Sequence, residues 1–120
     1  MIVPYIALAG GLGAVSRFVL DGLIRTVAGR SFPWGTVIIN VSGSVLLGFI
    51  TGLVLRGHMS HEAMFIVGTG FCGGYTTFST ASYETVRLLE ERRYISAGLN
   101  CIGTLALTLA GAALGLFIIN

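Results

Sequence analysis

The chain has 120 residues, of which 54% are hydrophobic and only 10% are charged, with a formal net charge of +2 at pH 7. Soluble domains carry about 25% charged residues, so this composition excludes an ordinary soluble domain and indicates an integral membrane protein with a single domain, residues 1–120. The sequence lacks the dense basic patch of a nucleic-acid-binding protein, and two cysteines do not make a disulfide framework. Because no metal-binding motif, Walker A loop or Ser/His/Asp constellation occurs, we expect no enzymatic activity.

The apolar segments predict an all-α protein with four transmembrane helices. A transmembrane helix needs about 20 mostly apolar residues, and the segments that qualify are residues 3–24, 34–55, 62–89 and 94–119. Five of the seven arginines flank the first and third predicted loops, whereas Arg56 lies on the opposite side. The positive-inside rule therefore predicts that the first and third loops face the cytoplasm and that both termini lie outside. We expect the protein to lie in the plasma membrane.

Charged residues occur within the first predicted helix. Arg17, Asp21 and Arg25 are spaced i, i+4 and i+8, so they lie on one helix face. Asp21 can pair with either arginine, which would make this face a self-paired helix end. Alternatively, Arg17 faces an aqueous vestibule and attracts an anion, since a charge within a span is a candidate for function. The sequence leaves both interpretations open.

Neutral polar side chains form stripes on the other three helices. The stripes are Thr36, Asn40 and Ser44 on the second helix, Thr76, Thr77, Ser79, Thr80 and Ser82 on the third, and Asn100, Thr104 and Thr108 on the fourth. One such stripe is usually an interhelical hydrogen-bonding contact. Three stripes in one small protein favour a hydrophilic pathway through it.

The third predicted helix has four glycines within the seven residues 68–74, which predicts that it is broken near Gly73–Thr77. Broken backbone is tolerated within a bilayer only where it is buried in protein or lines a wet cavity. Unwound carbonyl groups at such a break can also coordinate a cation. The alternative is that the glycines only allow close packing of helices.

These groups suit a passive anion pore better than a proton-coupled transporter. A proton-coupled transporter needs a titratable group in its pathway, and the candidates Asp21 and Glu84 lie closer to helix ends. A pore needs only hydrogen-bond donors and a constriction. Phe78 could contribute the positive edge of its ring to an anion, although a phenylalanine in a membrane helix more often faces lipid or the core.

The sequence resembles the Fluc/CrcB family of fluoride ion channels over essentially its whole length. The matching residues are Trp34-Gly35-Thr36, Asn40, Gly43, the run from Gly70 to Thr80, Ser82 and Glu84. The resemblance implies an antiparallel, dual-topology dimer in the lipid membrane. It also implies passive export of cytoplasmic fluoride, which relieves fluoride toxicity.

The resemblance also implies roles for individual residues. Phe78 matches the first ring of an aromatic pair in the pore, and Asn40 matches a pore asparagine. Arg17 matches an arginine near the vestibule, while the helix-four hydroxyl track is matched by Thr104 and Thr108. The anion pathway would further include the hydroxyl residues Thr77, Ser79, Thr80 and Ser82. A structural sodium ion would be held at the dimer interface by the backbone carbonyls of Gly73 and Thr76.

One position departs from the family pattern, because Ala81 stands where the second phenylalanine is expected. Half of the aromatic constriction is therefore missing, which leaves two dimeric forms open. The chain forms a homodimer, or it forms a heterodimer with a related chain and is inactive alone. A third hypothesis, a proton-coupled small multidrug transporter, would require an acidic residue such as Asp21 to carry the proton.

Overall fold

The computed structural model describes residues 1–118, which form helices joined by short loops and contain no strand. The helices are α1 (Val3–Ala28), α2 (Trp34–Leu55), α3 (61–75), α4 (Ser79–Glu90) and α5 (Tyr94–Ile118). Compared with the predicted spans, α1 continues four residues beyond residue 24. Residue 119, the predicted end of the fourth span, lies outside the described residues.

Three of these helices are long and apolar enough to cross a membrane, namely α1, α2 and α5, with mean hydropathies of 1.5, 2.1 and 2.1. The protein is therefore a multi-pass membrane protein. The third predicted span, residues 62–89, was expected to be one broken helix and forms the two shorter helices α3 and α4. Apolar side chains are exposed along the whole length of α1 and α5, as expected for surfaces that contact lipid or another protein chain.

The break lies between Tyr75 and Ser79, at the C-terminal end of the predicted Gly73–Thr77 window. The glycines do not break the helix, because Gly73 and Gly74 still have helical backbone angles. The preceding segment, Phe65–Cys72, is instead wound into wider π-helical turns. The low helix propensity of Gly74 is offset by the close contact with a neighbouring helix that it allows.

Close packing of α1 on α3 depends on glycines of both helices. A β-carbon added at Gly13 would lie 2.8 Å from the backbone nitrogen of Tyr75, and one at Gly74 would lie 2.8 Å from the carbonyl carbon of Gly10. Real β-carbons essentially never come so close to backbone atoms. The packing interpretation of the glycines is therefore correct for Gly74.

The α2–α5 interface is built in the same way. A β-carbon at Gly48 would lie 3.0 Å from the α-carbon of Ala112, and one at Gly115 would lie 2.6 Å from the backbone nitrogen of Phe49. Small residues at four-residue spacing let two membrane helices approach to backbone contact. This contact holds α2, which carries Asn40, in a fixed position beside α5.

The loop between α1 and α2 lies beside the loop between α4 and α5. The Arg93 guanidinium donates a hydrogen bond from Nη1 to the backbone carbonyl of Ser31. At the start of α2, the rings of Phe32 and Trp34 are in contact, with centroids 4.9 Å apart. The C-terminal ends of α1 and α4 therefore lie at the same end of the molecule.

We predict that Gly13→Ala lowers the free energy of unfolding by about 1–3 kcal/mol, because overpacking forces the α1 and α3 backbones apart. Gly11→Ala is the matched control, since a β-carbon there has no neighbour within 4 Å. The control should be neutral or stabilising by up to about 1 kcal/mol through helix propensity. Unfolding of both variants in mixed detergent micelles tests this, and equal effects would contradict the proposed contact.

Candidate functional site

The break between α3 and α4 is held open by side-chain hydrogen bonds. Thr76 has an extended backbone, with φ −79° and ψ 160°. The N–H of Thr77 donates to Asn40 Oδ1 at 2.8 Å, and the N–H of Thr80 donates to Thr77 Oγ1 at 3.1 Å. In a continuous α-helix these two N–H groups would donate to the carbonyls of Gly73 and Thr76. Both carbonyl oxygens are therefore released from those bonds.

Asn40 binds the break with both ends of its amide. Besides accepting from the Thr77 N–H, it donates from Nδ2 to the Thr77 carbonyl oxygen at 2.9 Å. The Asn40 side chain thus replaces the helix neighbours that Thr77 has lost. With only 8% of its surface exposed, Asn40 satisfies two backbone groups that would be costly to leave unpaired in an apolar environment.

A groove of about 800 Å³ lies beside this break and is lined by residues of α2, α3, α4 and α5. Residues from each of the three predicted polar stripes lie on its walls, although Thr36 of the second-helix stripe does not. Its polar lining residues are Asn40, Ser44, Thr69, Thr76, Thr77, Ser82, Thr85, Asn100, Thr104 and Thr108. Within residues 1–118, the lining includes no aspartate, glutamate, histidine, lysine or arginine. The groove thus offers neutral hydrogen-bonding groups along its length.

Most of the residues predicted to form an anion pathway lie along this groove. They are Asn40, Thr77, Phe78, Ser82, Thr104 and Thr108, together with the predicted cation ligands Gly73 and Thr76. Ser79, Thr80 and Arg17 are not among its lining residues. The Ser79 hydroxyl instead lies 3.4 Å from that of Thr77. Thr80 donates its backbone N–H to Thr77 Oγ1, as described above.

Phe78 immediately precedes α4 and has 87% of its surface exposed. Its ring lies at the groove rather than in the core of the chain. Ala81, one helical turn later, also lines the groove. The second phenylalanine that the family resemblance implies would therefore lie on the groove wall, at the position of Ala81.

The charges of α1 lie apart from the groove. Asp21 pairs with Arg25, whose Nη2 lies 3.0 Å from Asp21 Oδ2, which decides between the two partners that the sequence left open. Arg17 is half-buried, and its Nε has no hydrogen-bond partner among residues 1–118. A separate cavity of about 90 Å³ beside the first loop collects Asp21, Arg25 and the buried Glu84.

Residues 4–116 match the family model described as "CrcB-like protein, Camphor Resistance (CrcB)". The chain belongs to the CrcB family. It is 53% identical to "Fluoride-specific ion channel FluC 1" of Leifsonia xyli subsp. xyli, over 98% of this chain and 86% of that protein. It is 46% identical to "Fluoride-specific ion channel FluC" of Geobacter sulfurreducens, over 92% and 90% of the two chains. The protein of the same name from Pyrococcus furiosus is 43% identical over 94% and 91%.

In this member of the CrcB family, the groove wall includes polar contacts that the sequence does not predict. The sequence places Asn100 only within a polar stripe and gives no role to Thr85. Asn100 Nδ2 donates to Thr85 Oγ1 at 2.8 Å, and Thr85 Oγ1 donates to the Ala81 carbonyl at 2.9 Å. The spacing of Thr77, Ala81 and Thr85 at i, i+4 and i+8 was the signal that could have revealed Thr85.

We predict that Asn40→Leu lowers the free energy of unfolding by about 2–4 kcal/mol, because it leaves the buried N–H and C=O of Thr77 without partners. Ser44→Ala is the matched control, since Ser44 lines the same groove one turn further along α2. Thermal unfolding in detergent measures both variants. A loss for Asn40→Leu no larger than that for Ser44→Ala would show that the Thr77 backbone does not depend on Asn40.

Proposed function

We propose that this chain is a passive, fluoride-selective channel subunit that exports cytoplasmic fluoride across the plasma membrane and so relieves fluoride toxicity. The observation that carries the proposal is the groove, whose polar lining is made of neutral hydroxyl and amide groups beside the exposed ring of Phe78. The names of the relatives, fluoride-specific ion channels, support the choice of ion.

The neutral lining suits conduction rather than tight binding. Conduction requires that an ion gains enough from the pore to enter it and little enough to leave it. A hydroxyl group on the groove wall, such as that of Ser82, can replace water around a small anion without a fixed positive charge that would retain it. The positive edge of the Phe78 ring adds a further weak attraction.

We propose that two copies assemble as an antiparallel, dual-topology homodimer, in which α3 and α4 together form the third of four membrane crossings. The groove open on one side and the protruding Phe78 support a second protein chain there. The hydrogen bond between Arg93 and Ser31 supports an even number of crossings between the first and third loops. Exposed apolar side chains elsewhere on α1 and α5 would contact membrane lipid.

We also propose a structural sodium ion at the centre of the dimer, bound by the carbonyl oxygens of Gly73 and Thr76. These two groups fit that role, because the N–H groups of Thr77 and Thr80 that would otherwise bond them donate to side chains instead. Neutral carbonyl oxygens at a helix break are typical ligands for sodium in membrane proteins. Such an ion would supply positive charge that holds two helix breaks together.

The second candidate is a subunit of a heterodimeric fluoride channel, inactive alone. It is favoured by Ala81, which lines the groove where the family resemblance implies a second ring. A related chain with the complete aromatic pair would then supply the functional pore. A proton-coupled small multidrug transporter is a weaker candidate, since neither Asp21 nor Glu84 lines the groove.

We predict that liposomes containing only this purified chain release fluoride, and not chloride, without a proton gradient. Efflux should be unaffected by Asp21→Asn, because the Asp21 carboxylate pairs with Arg25 away from the groove. Loss of transport in Asp21→Asn would instead indicate the proton-coupled transporter. No efflux from a folded dimer of the unaltered chain would favour the heterodimer, and co-expression with a related chain would then be the next measurement.

We predict that Ala81→Phe folds and conducts fluoride, because the added ring would lie on the wall of an open groove rather than in the packed core. The variant should match the unaltered chain in thermal unfolding within about 1 kcal/mol, as for a surface substitution. Tyr83→Phe, on an exposed position of the same helix, is the matched control. Failure of Ala81→Phe alone to fold would show that another part of the protein occupies this space.

A further inference from the structure

Two polar atoms on the groove wall are buried without a partner. Asn100 has 1% and Thr104 has 8% of its surface exposed, and both line the groove. Asn100 Oδ1 and Thr104 Oγ1 make no hydrogen bond with any of residues 1–118. Buried polar atoms in proteins nearly always have a partner, so each of these atoms indicates a bound ligand.

The neighbouring hydrogen bonds fix which end of the Asn100 amide is available. Thr85 uses its only hydroxyl hydrogen in the bond to the Ala81 carbonyl. Thr85 Oγ1 can therefore only accept from Asn100, which places Nδ2 there, at 2.8 Å. The unpaired end of Asn100 is consequently the carbonyl oxygen, an acceptor that needs a donor.

The chemistry of this pair selects water as the ligand. A fluoride ion would be repelled by the Asn100 carbonyl oxygen, since neither atom carries a hydrogen. A bare metal cation needs more oxygen ligands than the two present here. A water molecule can donate to Asn100 Oδ1 and accept from the Thr104 hydroxyl at the same time.

The spacing also suits one bridging molecule. Asn100 and Thr104 are four residues apart and line the same groove, and a water bonded to both side chains would lie about 2.8 Å from each oxygen. Asn100 lies in the π-helical turn Leu99–Gly103, and such turns are frequent at functional sites. Buried polar atoms that lack a protein partner commonly bind an ordered water.

We propose that Asn100 and Thr104 bind a water molecule whose second O–H points into the groove beside Ala81. With the proposed function, on which this role rests, that O–H solvates the passing anion at the position where a second aromatic ring is missing. The constriction in this chain would then combine one ring edge, from Phe78, with one protein-held water.

The first test is a double-mutant cycle with Asn100→Leu, Thr104→Val and their combination, read by thermal unfolding. A shared water makes the two substitutions non-additive, by about fivefold or more in the unfolding equilibrium constant. Asn100→Leu with Thr108→Val is the control cycle, since the Thr108 hydroxyl donates to the Leu105 carbonyl. Additivity in both cycles would overturn the proposal, and this readout does not depend on whether the chain conducts fluoride.

Fluoride efflux provides the second readout. Thr104→Val should slow efflux by about tenfold, the value of one hydrogen bond to a charged group, whereas Thr104→Ser keeps the hydroxyl and should retain the rate. Equal rates for these two variants would overturn the role in conduction. A high-resolution structure from crystals grown without fluoride should show electron density for a water between Asn100 Oδ1 and Thr104 Oγ1. No density there, or density only in the presence of fluoride, would overturn the bound water.

Discussion

The structure depends on the pair of hydrogen bonds between the Asn40 amide and the backbone of Thr77. A membrane helix cannot be interrupted in an apolar environment unless the freed backbone groups find other partners. Asn40 provides both partners from a helix that is distant in sequence. The interruption then separates α3 from α4 and leaves the Phe78 ring exposed. It also frees the Gly73 and Thr76 carbonyls from their helical hydrogen bonds with the N–H groups of Thr77 and Thr80. One buried amide thus determines several features of the candidate pore.

The hydrogen bonds between Asn40 and Thr77 can form only because other contacts hold α2 in place. Gly48 and Gly115 bring the α2 and α5 backbones together, and Gly13 and Gly74 do the same for α1 and α3. Without a hydrophobic effect between helices in lipid, such close van der Waals packing is a principal source of stability. These glycines therefore provide the rigid frame in which the break can be held.

The sequence was sufficient to predict which face of each helix carries the polar residues. Helical periodicity predicts that Asn40, Thr104 and Thr108 face a common pathway, because each stripe keeps four-residue spacing, and in the structure all three line one groove. It could not locate the break at residues 76–78, since the break depends on Asn40, 37 positions away from Thr77. It also could not separate Ser79 and Thr80 from Ser82, because local geometry at the start of α4 turns them away from the groove.

The distribution of charge favours an anion pathway that does not bind the anion too tightly for it to leave. The protein keeps Asp21, Arg25 and Glu84 together beside the first loop, while the described part of the groove has only neutral polar groups. A fixed arginine in the groove would bind an anion strongly and slow its exit, and a fixed acid would exclude it. Neutral donors avoid both effects, provided that enough of them point toward the ion. In a chain with Ala81 in place of a ring, the buried and unpaired oxygens of Asn100 and Thr104 become the groups best positioned to supply that missing donor through water.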